Sequence, residues 1–369
     1  MKFSTTLAFV MTLMIWGCGG GPSGDTNVSS GDTDTSLPYA EENSTIVLPY
    51  TINPLYASQW YLHRNDTFYR KYDIDPEASI HSSDDPKYRG YGIKIAIIDD
   101  QLDTNHEDLH GTKISTWDTD TQSQALPPYN SNDLHGTEVT GLIAAQNNHL
   151  GLVGLANRSE ILFIRLPFEK GEVETSQIID AFNKADEWGA DVINCSWGTG
   201  AVDDAVRAVI DKIADKGRHG KGTIIVFATG NGDEEIGNDE SGLESVFAVG
   251  ATNKDNRRTS YSNYGRALDF MAPGGEEIGL ITLDWMGTKG DSSKNYVQFM
   301  GTSASAPLAS SAIAVILEAN SSLTRNELYN VLKDSSDKIG DLPYDSNGFN
   351  EKYGYGKINL SSALELVSP

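Results

Sequence analysis

Short apolar runs alternate along this chain with longer amphipathic stretches. The runs Lys94 to Ile98, Ile161 to Leu166, Val192 to Cys195, Thr223 to Ala228 and Ser245 to Gly250 read as buried strands. Between and after them, Thr137 to Gln146, Thr175 to Trp188, Asp203 to Lys216, Ser303 to Ala319 and Thr324 to Lys333 carry helical spacing. Strands that are apolar throughout, alternating with helices, predict an α/β fold of three layers: a mostly parallel central sheet with helices on both faces. Ligands bind such sheets beyond the carboxyl ends of the strands. Asp99 and the turn Gly230-Asn231-Gly232 fall at such ends.

The chemistry is carried by three separated motifs. Phe299-Met300-Gly301-Thr302-Ser303-Ala304-Ser305-Ala306-Pro307 presents a serine between small residues at the mouth of an apolar helix. Alone, Ser303 reads equally well as a helix cap. A serine becomes a nucleophile when a base takes its proton and a carboxylate orients that base. His135 opens His135-Gly136-Thr137-Glu138-Val139-Thr140-Gly141, and Asp99 ends the first strand run. His110-Gly111-Thr112 lacks a following apolar helix and reads as loop, while Asp100 competes with Asp99 for the orienting role.

The order Asp, His, Ser is the subtilisin order. With the surrounding motifs it makes the chain resemble the subtilisin-like serine peptidases over roughly residues 53 to 366. Asp99-Asp100-Gln101-Leu102-Asp103, Asn194-Cys195-Ser196-Trp197-Gly198 and Asn53-Pro54-Leu55-Tyr56-Ala57-Ser58-Gln59-Trp60 resemble the kexin and furin branch. Ser260-Tyr261-Ser262-Asn263-Tyr264-Gly265 and Met271-Ala272-Pro273-Gly274-Gly275 read as the common subtilisin pattern, and Gln101 replaces a usual glycine. The resemblance implies Ser303 as nucleophile, His135 as general base, Asp99 as its orienting carboxylate and Asn231 as oxyanion donor beside the Ser303 amide. It implies that Ser196, Trp197 and Gly198 pair with an extended substrate. An endopeptidase acting through an acyl-enzyme is the activity expected.

The same resemblance sets two finer expectations. Asp100 matches a second-subsite acid, and Asp118, Asp120, Asp239 and Glu240 lie near positions that hold basic side chains in the kexin branch. The aspartate that closely follows Ser-Trp-Gly there is replaced by Thr199-Gly200-Ala201. Cleavage after basic residues is thus one expectation and solvated loop acids the other. A structural calcium site is expected at Asp108 and the loop 144–152, with Asn148 giving its side chain and Gln146, Leu150 and Leu152 completing the ligand set. Oxygen ligands of this kind suit calcium.

Composition narrows the partners. Among 369 residues, 52 acidic against 28 basic give a formal charge of −24, which argues against nucleic acid. Cys18 and Cys195 make no disulfide framework, and Cys195 reads as a small buried hydrophobe. Met1-Lys2 and the apolar run Leu7 to Trp16 resemble a secretion signal over 1–17 ending at a lipidated Cys18. Residues 18–50 read as a flexible tether rich in Gly, Ser, Thr and Asp, and 51–369 as the peptidase domain. Gly19 after the cysteine favours the outer membrane of a bacterial envelope, by resemblance to Gram-negative lipoproteins. The segment before the domain is too short for a folded propeptide, so a trans-acting chaperone or inhibitor is an expected partner beside protein or peptide substrates. Two other functions compete: a catalytically silent peptide-binding lipoprotein on the same fold, and an acyl transferase or esterase at the same site.

Overall fold

The computed structural model describes residues 53–368 apart from 84, 85, 132, 172 and 293, so Cys18 and the tether lie outside the described residues. Seven strands form one sheet: β1 (Lys94–Asp99), β2 (Ile114–Asp118), β3 (Glu160–Arg165), β4 (Val192–Cys195), β5 (Ile224–Ala228), β6 (Phe247–Thr252) and β7 (Phe270–Pro273). Their order is β2-β3-β1-β4-β5-β6-β7, and every neighbouring pair is parallel. A separate antiparallel pair joins β8 (Leu280–Leu283) to β9 (Tyr296–Phe299).

Alternation along β1 shows why two helical layers are needed. Ile95 and Ile97 face one core and Ala96 and Ile98 the other. The first core is closed by α2 (His135–Ala144) and α5 (Thr302–Ala319), through Val139, Leu142, Ile313 and Leu317. The second is closed by α3 (Thr175–Trp188) and α4 (Asp204–Gly220), through Ile178, Phe182, Ile210 and Ile213. Each such side chain contributes roughly 1.5–3 kcal/mol on burial. The 18-residue α5 is apolar enough to cross a membrane by composition, but 89% of it is buried here as the central core helix. Cys195 is buried and free, as the sequence suggests.

The periodicity locates the central elements and misses peripheral ones. The edge strand β2 is half exposed, and β7 ends in Pro273, which only a sheet edge tolerates. Helices α1 (Asp66–Tyr72), α6 (Arg325–Ser335) and α7 (Leu360–Val367) complete the chain, of which α6 alone is anticipated. Helix α2 begins two residues earlier than the apolar pattern, at His135 itself.

Candidate active site

Three strand ends converge on one cavity of about 580 Å³. Asp99 is the last residue of β1, Ser196 follows β4, and Asn231 lies just beyond β5. Asp99, His135, Ser196, Trp197, Gly198, Asn231 and Ser303 all line it.

Asp99 is 1% exposed, and its Oδ1 accepts from His135 Nδ1 at 2.8 Å and from the Asp100 amide at 2.9 Å. Burial would by itself lower the imidazole pKa. The Asp99 carboxylate, with Asp100 beyond it, outweighs that effect and raises the pKa to about 9. The ring packs edge-on against Phe299 at 5.3 Å.

Ser303 is the second residue of α5, and the cap is Gly301. Gly301 has φ 119°, a left-handed conformation that glycine adopts without strain. The Ser303 hydroxyl donates to the Ser196 carbonyl at 3.0 Å, and the Ser196 hydroxyl donates back to the Ser303 carbonyl at 3.1 Å. The Ser303 amide has no partner among the described residues and lies in the first turn of α5, where the helix dipole favours negative charge.

Asn231 is held by its oxygen, which accepts from the Thr302 amide at 2.9 Å and the Thr302 hydroxyl at 3.0 Å. Its Nδ2 remains available as a donor in the cavity. Trp197 is anchored through Nε1 to the Ile98 carbonyl at 2.8 Å. Among the described residues the backbone of Trp197 and Gly198 has no hydrogen-bond partner, so a short open edge continues β4.

Asp100 is placed otherwise than a free subsite acid. It lines the cavity, yet its Oδ1 accepts from the Gln101 and Gly136 amides at 2.5 and 2.6 Å, and its Oδ2 from the His135 amide at 3.1 Å. It caps α2 and so fixes the backbone of His135. Burial, reinforced by Asp99, raises its pKa.

Three further acids named from sequence are absent from the cavity wall. Asp118 pairs with Arg165 at 2.9 Å, Asp120 with Lys170 at 2.6 Å, and Glu240 accepts from the Thr199 amide and hydroxyl at 3.0 and 2.7 Å. Asp239 does line the cavity, and a Cβ on Gly198 would stand 3.3 Å from its Oδ2. The structure adds Asp133, Glu169, Glu234 and Glu235, which sequence reasoning missed. With Asp99, Asp100 and Asp239 the described lining carries seven carboxylates and no Lys or Arg. Only the proximity of Asp133 to His135 in sequence could have signalled its place.

The loop expected to bind calcium lies beside the N-terminal residues of the described chain. No group of three or more His, Cys, Asp or Glu side chains able to hold a metal occurs among the described residues, so a cation here would rely on Asp108 together with carbonyl and amide oxygens. Asp108 is fully buried. Its Oδ2 accepts from the Leu152 amide at 2.9 Å, while its Oδ1 has no partner. Burial raises its pKa from 3.8 to about 8. Gly151 permits this approach, since a Cβ there would meet Asp108 Oδ2 at 2.4 Å. The Gln146 and Leu152 carbonyls converge on Asn53 Nδ2, both at 2.8 Å, and the Asn148 oxygen accepts from the Leu150 amide at 2.9 Å. The Gln146 Nε2 donates to the Thr112 hydroxyl and to the Ala144 and Asn157 carbonyls. His149 is exposed. Asn53, which sequence spacing does not reveal, brings a side-chain amide to the same point.

Comparison with known proteins places these features in context. A profile of the subtilase family matches residues 90–356. A calcium-dependent protease of a Nostoc species is 32% identical over 351 residues, covering 85% of this chain and 52% of the relative. A thermophilic serine proteinase of a Bacillus species is 31% identical over 325 residues, covering 85% and 73%. Subtilisin NAT of Bacillus subtilis is 30% identical over 287 residues, covering 75% and 67%. The chain thus spans about half the length of the calcium-dependent proteases it matches. Among solved structures, the Aeromonas sobria serine protease in complex with its chaperone superposes with TM-score 0.71 at 23% identity, covering 86% of this chain and 67% of that one. A Pseudoalteromonas arctica protease superposes with TM-score 0.65 at 22% identity, covering 86% and 99%. These two likenesses bear on the fold.

Proposed function

This chain belongs to the subtilase family, and from that membership we propose that it is a serine endopeptidase acting through Asp99, His135 and Ser303. The observation that carries the reading is the 2.8 Å bond from His135 Nδ1 to buried Asp99, in a cavity shared with Ser303 and Asn231. An extended substrate pairs with the open edge Ser196 to Gly198 and claims the Ser196 carbonyl. The Ser303 hydroxyl then turns from that carbonyl to His135 Nε2, gives up its proton and attacks the peptide carbon. The Ser303 amide and Asn231 Nδ2 receive the developing oxyanion, a side-chain donor of this kind typically giving about 3–4 kcal/mol. His135 returns the proton to the leaving amine, and water releases the acyl group by the same steps.

A preference for basic residues before the cleaved bond is part of the proposal, supported by a wall of carboxylates without Lys or Arg. This favours the kexin-like expectation for substrate, with Asp239 beside Gly198 as the acid nearest the open edge. Calcium is the proposed structural ion. The partnerless Asp108 Oδ1, the Gln146, Leu150 and Leu152 carbonyls and Asn148 are the oxygens that fit it, and its charge would stabilise the ionised Asp108. Lipidation at Cys18, placement in the outer membrane and a trans-acting chaperone complete the reading. The first two rest on the sequence motif, and the third is favoured by the chaperone complex of the Aeromonas protease. Cys18→Ser should abolish incorporation of an alkynyl fatty acid.

The test is labelling of the purified chain by a fluorophosphonate together with peptide cleavage. Both are expected, and both are expected to vanish in Ser303→Ala. A folded, calcium-loaded chain that neither labels nor cleaves would instead support the silent peptide-binding reading, in which Ser303 stays on the Ser196 carbonyl.

A further inference from the structure

Asn231 reaches the cavity on a turn that the sheet does not hold. Strand β5 ends at Ala228, and residues 232–235 are exposed. The Asn231 oxygen is tied to Thr302, so the direction of Nδ2 depends on where the two peptides flanking residue 231 lie. One residue grips both. The Asn263 backbone amide donates to the Gly230 carbonyl at 3.0 Å, and Asn263 Oδ1 accepts from the Gly232 amide at 2.9 Å and the Glu234 amide at 3.2 Å. Farther along the turn, main chain holds main chain: the Asp233 amide donates to the Tyr261 carbonyl at 2.8 Å, and the Ile236 amide to the Tyr264 carbonyl at 2.7 Å.

The grip is anchored on the sheet. Asn263 is 7% exposed, and its carbonyl accepts from the Ser262 hydroxyl at 3.2 Å. That hydroxyl accepts in turn from the Ala251 amide of β6 at 3.0 Å. The Asn263 side chain lies so close to the turn that a Cβ on Gly230 would stand 2.6 Å from its Nδ2. A donor aimed at a developing oxyanion is effective because it is already in place when the charge forms, and small displacements of such a group are expensive. A neutral amide accepts the two turn amides without bringing a negative charge beside that oxygen, which a carboxylate would do.

We propose that Asn263 is a positioning residue of the oxyanion site, holding the turn Gly230-Asn231-Gly232 so that Asn231 Nδ2 faces the reacting carbonyl. The proposal rests on the peptidase reading above, in which Asn231 serves the transition state. Asn263 acts through Asn231, so its loss is felt in kcat and not in the binding of substrate.

The experiment is a double-mutant cycle on the purified chain, with kcat and KM for peptide cleavage measured in the parent, Asn263→Ala, Asn231→Ala and the double variant. Asn263→Ala removes the acceptor of the Gly232 and Glu234 amides and is expected to lower kcat roughly tenfold to a hundredfold, with KM within about twofold. In the Asn231→Ala background the same change should lower kcat by less than about twofold, because the group it positions is already gone. Equal factors in the two backgrounds overturn the proposal, as does a loss carried by KM. Asn263→Ser, whose shorter side chain cannot span both amides, provides the same cycle if the alanine variant folds poorly. Proton–nitrogen NMR gives a readout without turnover, with the Asn231 side-chain amide signals identified by their absence in Asn231→Ala. In Asn263→Ala these signals should move while those of Asn53, in the loop beside Asp108, stay in place, and unmoved Asn231 signals overturn the proposal. A folded parent that neither labels with a fluorophosphonate nor cleaves peptide removes the peptidase reading, and the NMR comparison still decides whether Asn263 places Asn231.

Discussion

Asp99 and Asp108 stand at the two ends of one short loop, both buried, and the protein treats them in opposite ways. Asp99 meets an imidazole at 2.8 Å, and the charge of each is balanced by the other. Asp108 meets the Leu152 amide and the Asn148 side chain but no cationic side chain, and keeps one oxygen unpartnered, so its charge has no internal counter-ion. A buried carboxylate with an internal cation is ready for chemistry. One without it makes folding depend on the surroundings, through protons or a metal ion. The contrast predicts that damage to Asp99 removes activity from a stable protein, whereas damage at Asp108 removes stability from an active one.

The largest effect is expected on the Asp99 side. Asp99→Asn should lower kcat by roughly 10⁴, because the amide offers His135 Nδ1 the wrong partner and tautomer. Circular dichroism and thermal melting should find the fold intact. A variant that unfolds instead would break the comparison, since Asp99 would then be a structural residue as well. Asn231→Ala should follow, with a loss of about 10²–10³ in kcat and little change in KM, because its donor is used in the transition state.

At Asp108 the readout is stability. Its pKa is raised from 3.8 in the unfolded chain to about 8, so without metal the folded state binds the proton more tightly. That contribution is full below pH 4 and is lost as pH rises toward 8. In chelator, Tm should therefore decline between pH 5 and pH 8 more steeply than in Asp108→Asn. Millimolar calcium should raise Tm at pH 8 by on the order of 5 °C in the parent chain and by much less in the variant. Equal calcium responses in the two proteins would remove Asp108 from the ligand set.

The sequence was readable where one residue carries one role at one place. Asp99, His135, Asn231 and Ser303 sit at the ends of buried elements whose periodicity is strong, and the fold brings all four to one cavity. The acids were harder because their fate is decided by neighbours distant in the chain. Asp118 and Asp120 look like pocket acids until Arg165 and Lys170 arrive from the far end of β3 and the turn after it. Asp133 and Glu169 look like loop acids until the same fold buries one oxygen of each without a donor. Asn53 is invisible for a similar reason, since its two carbonyl partners lie more than ninety residues away. Periodicity reports burial, whereas the pairing of charges is a property of the assembled sheet.

The smallest expected effect separates the two carboxylates next to His135. Asp99 touches the ring, whereas Asp100 touches only backbone amides at the start of α2. Burial lowers the imidazole pKa, but Asp99 and then Asp100 raise it to about 9, and only the neutral ring can accept the Ser303 proton. The acid limb of the kcat/KM profile should accordingly lie in the alkaline range. Asp100→Asn keeps an oxygen to cap α2 and removes one negative charge, so the protonated ring loses support and its pKa falls. The limb should move to lower pH by about half a unit, raising activity at neutral pH without altering the plateau. A limb that stays in place would show that Asp100 acts on His135 through the helix start alone, and a lower plateau would show that the cap, more than the charge, is what the histidine requires.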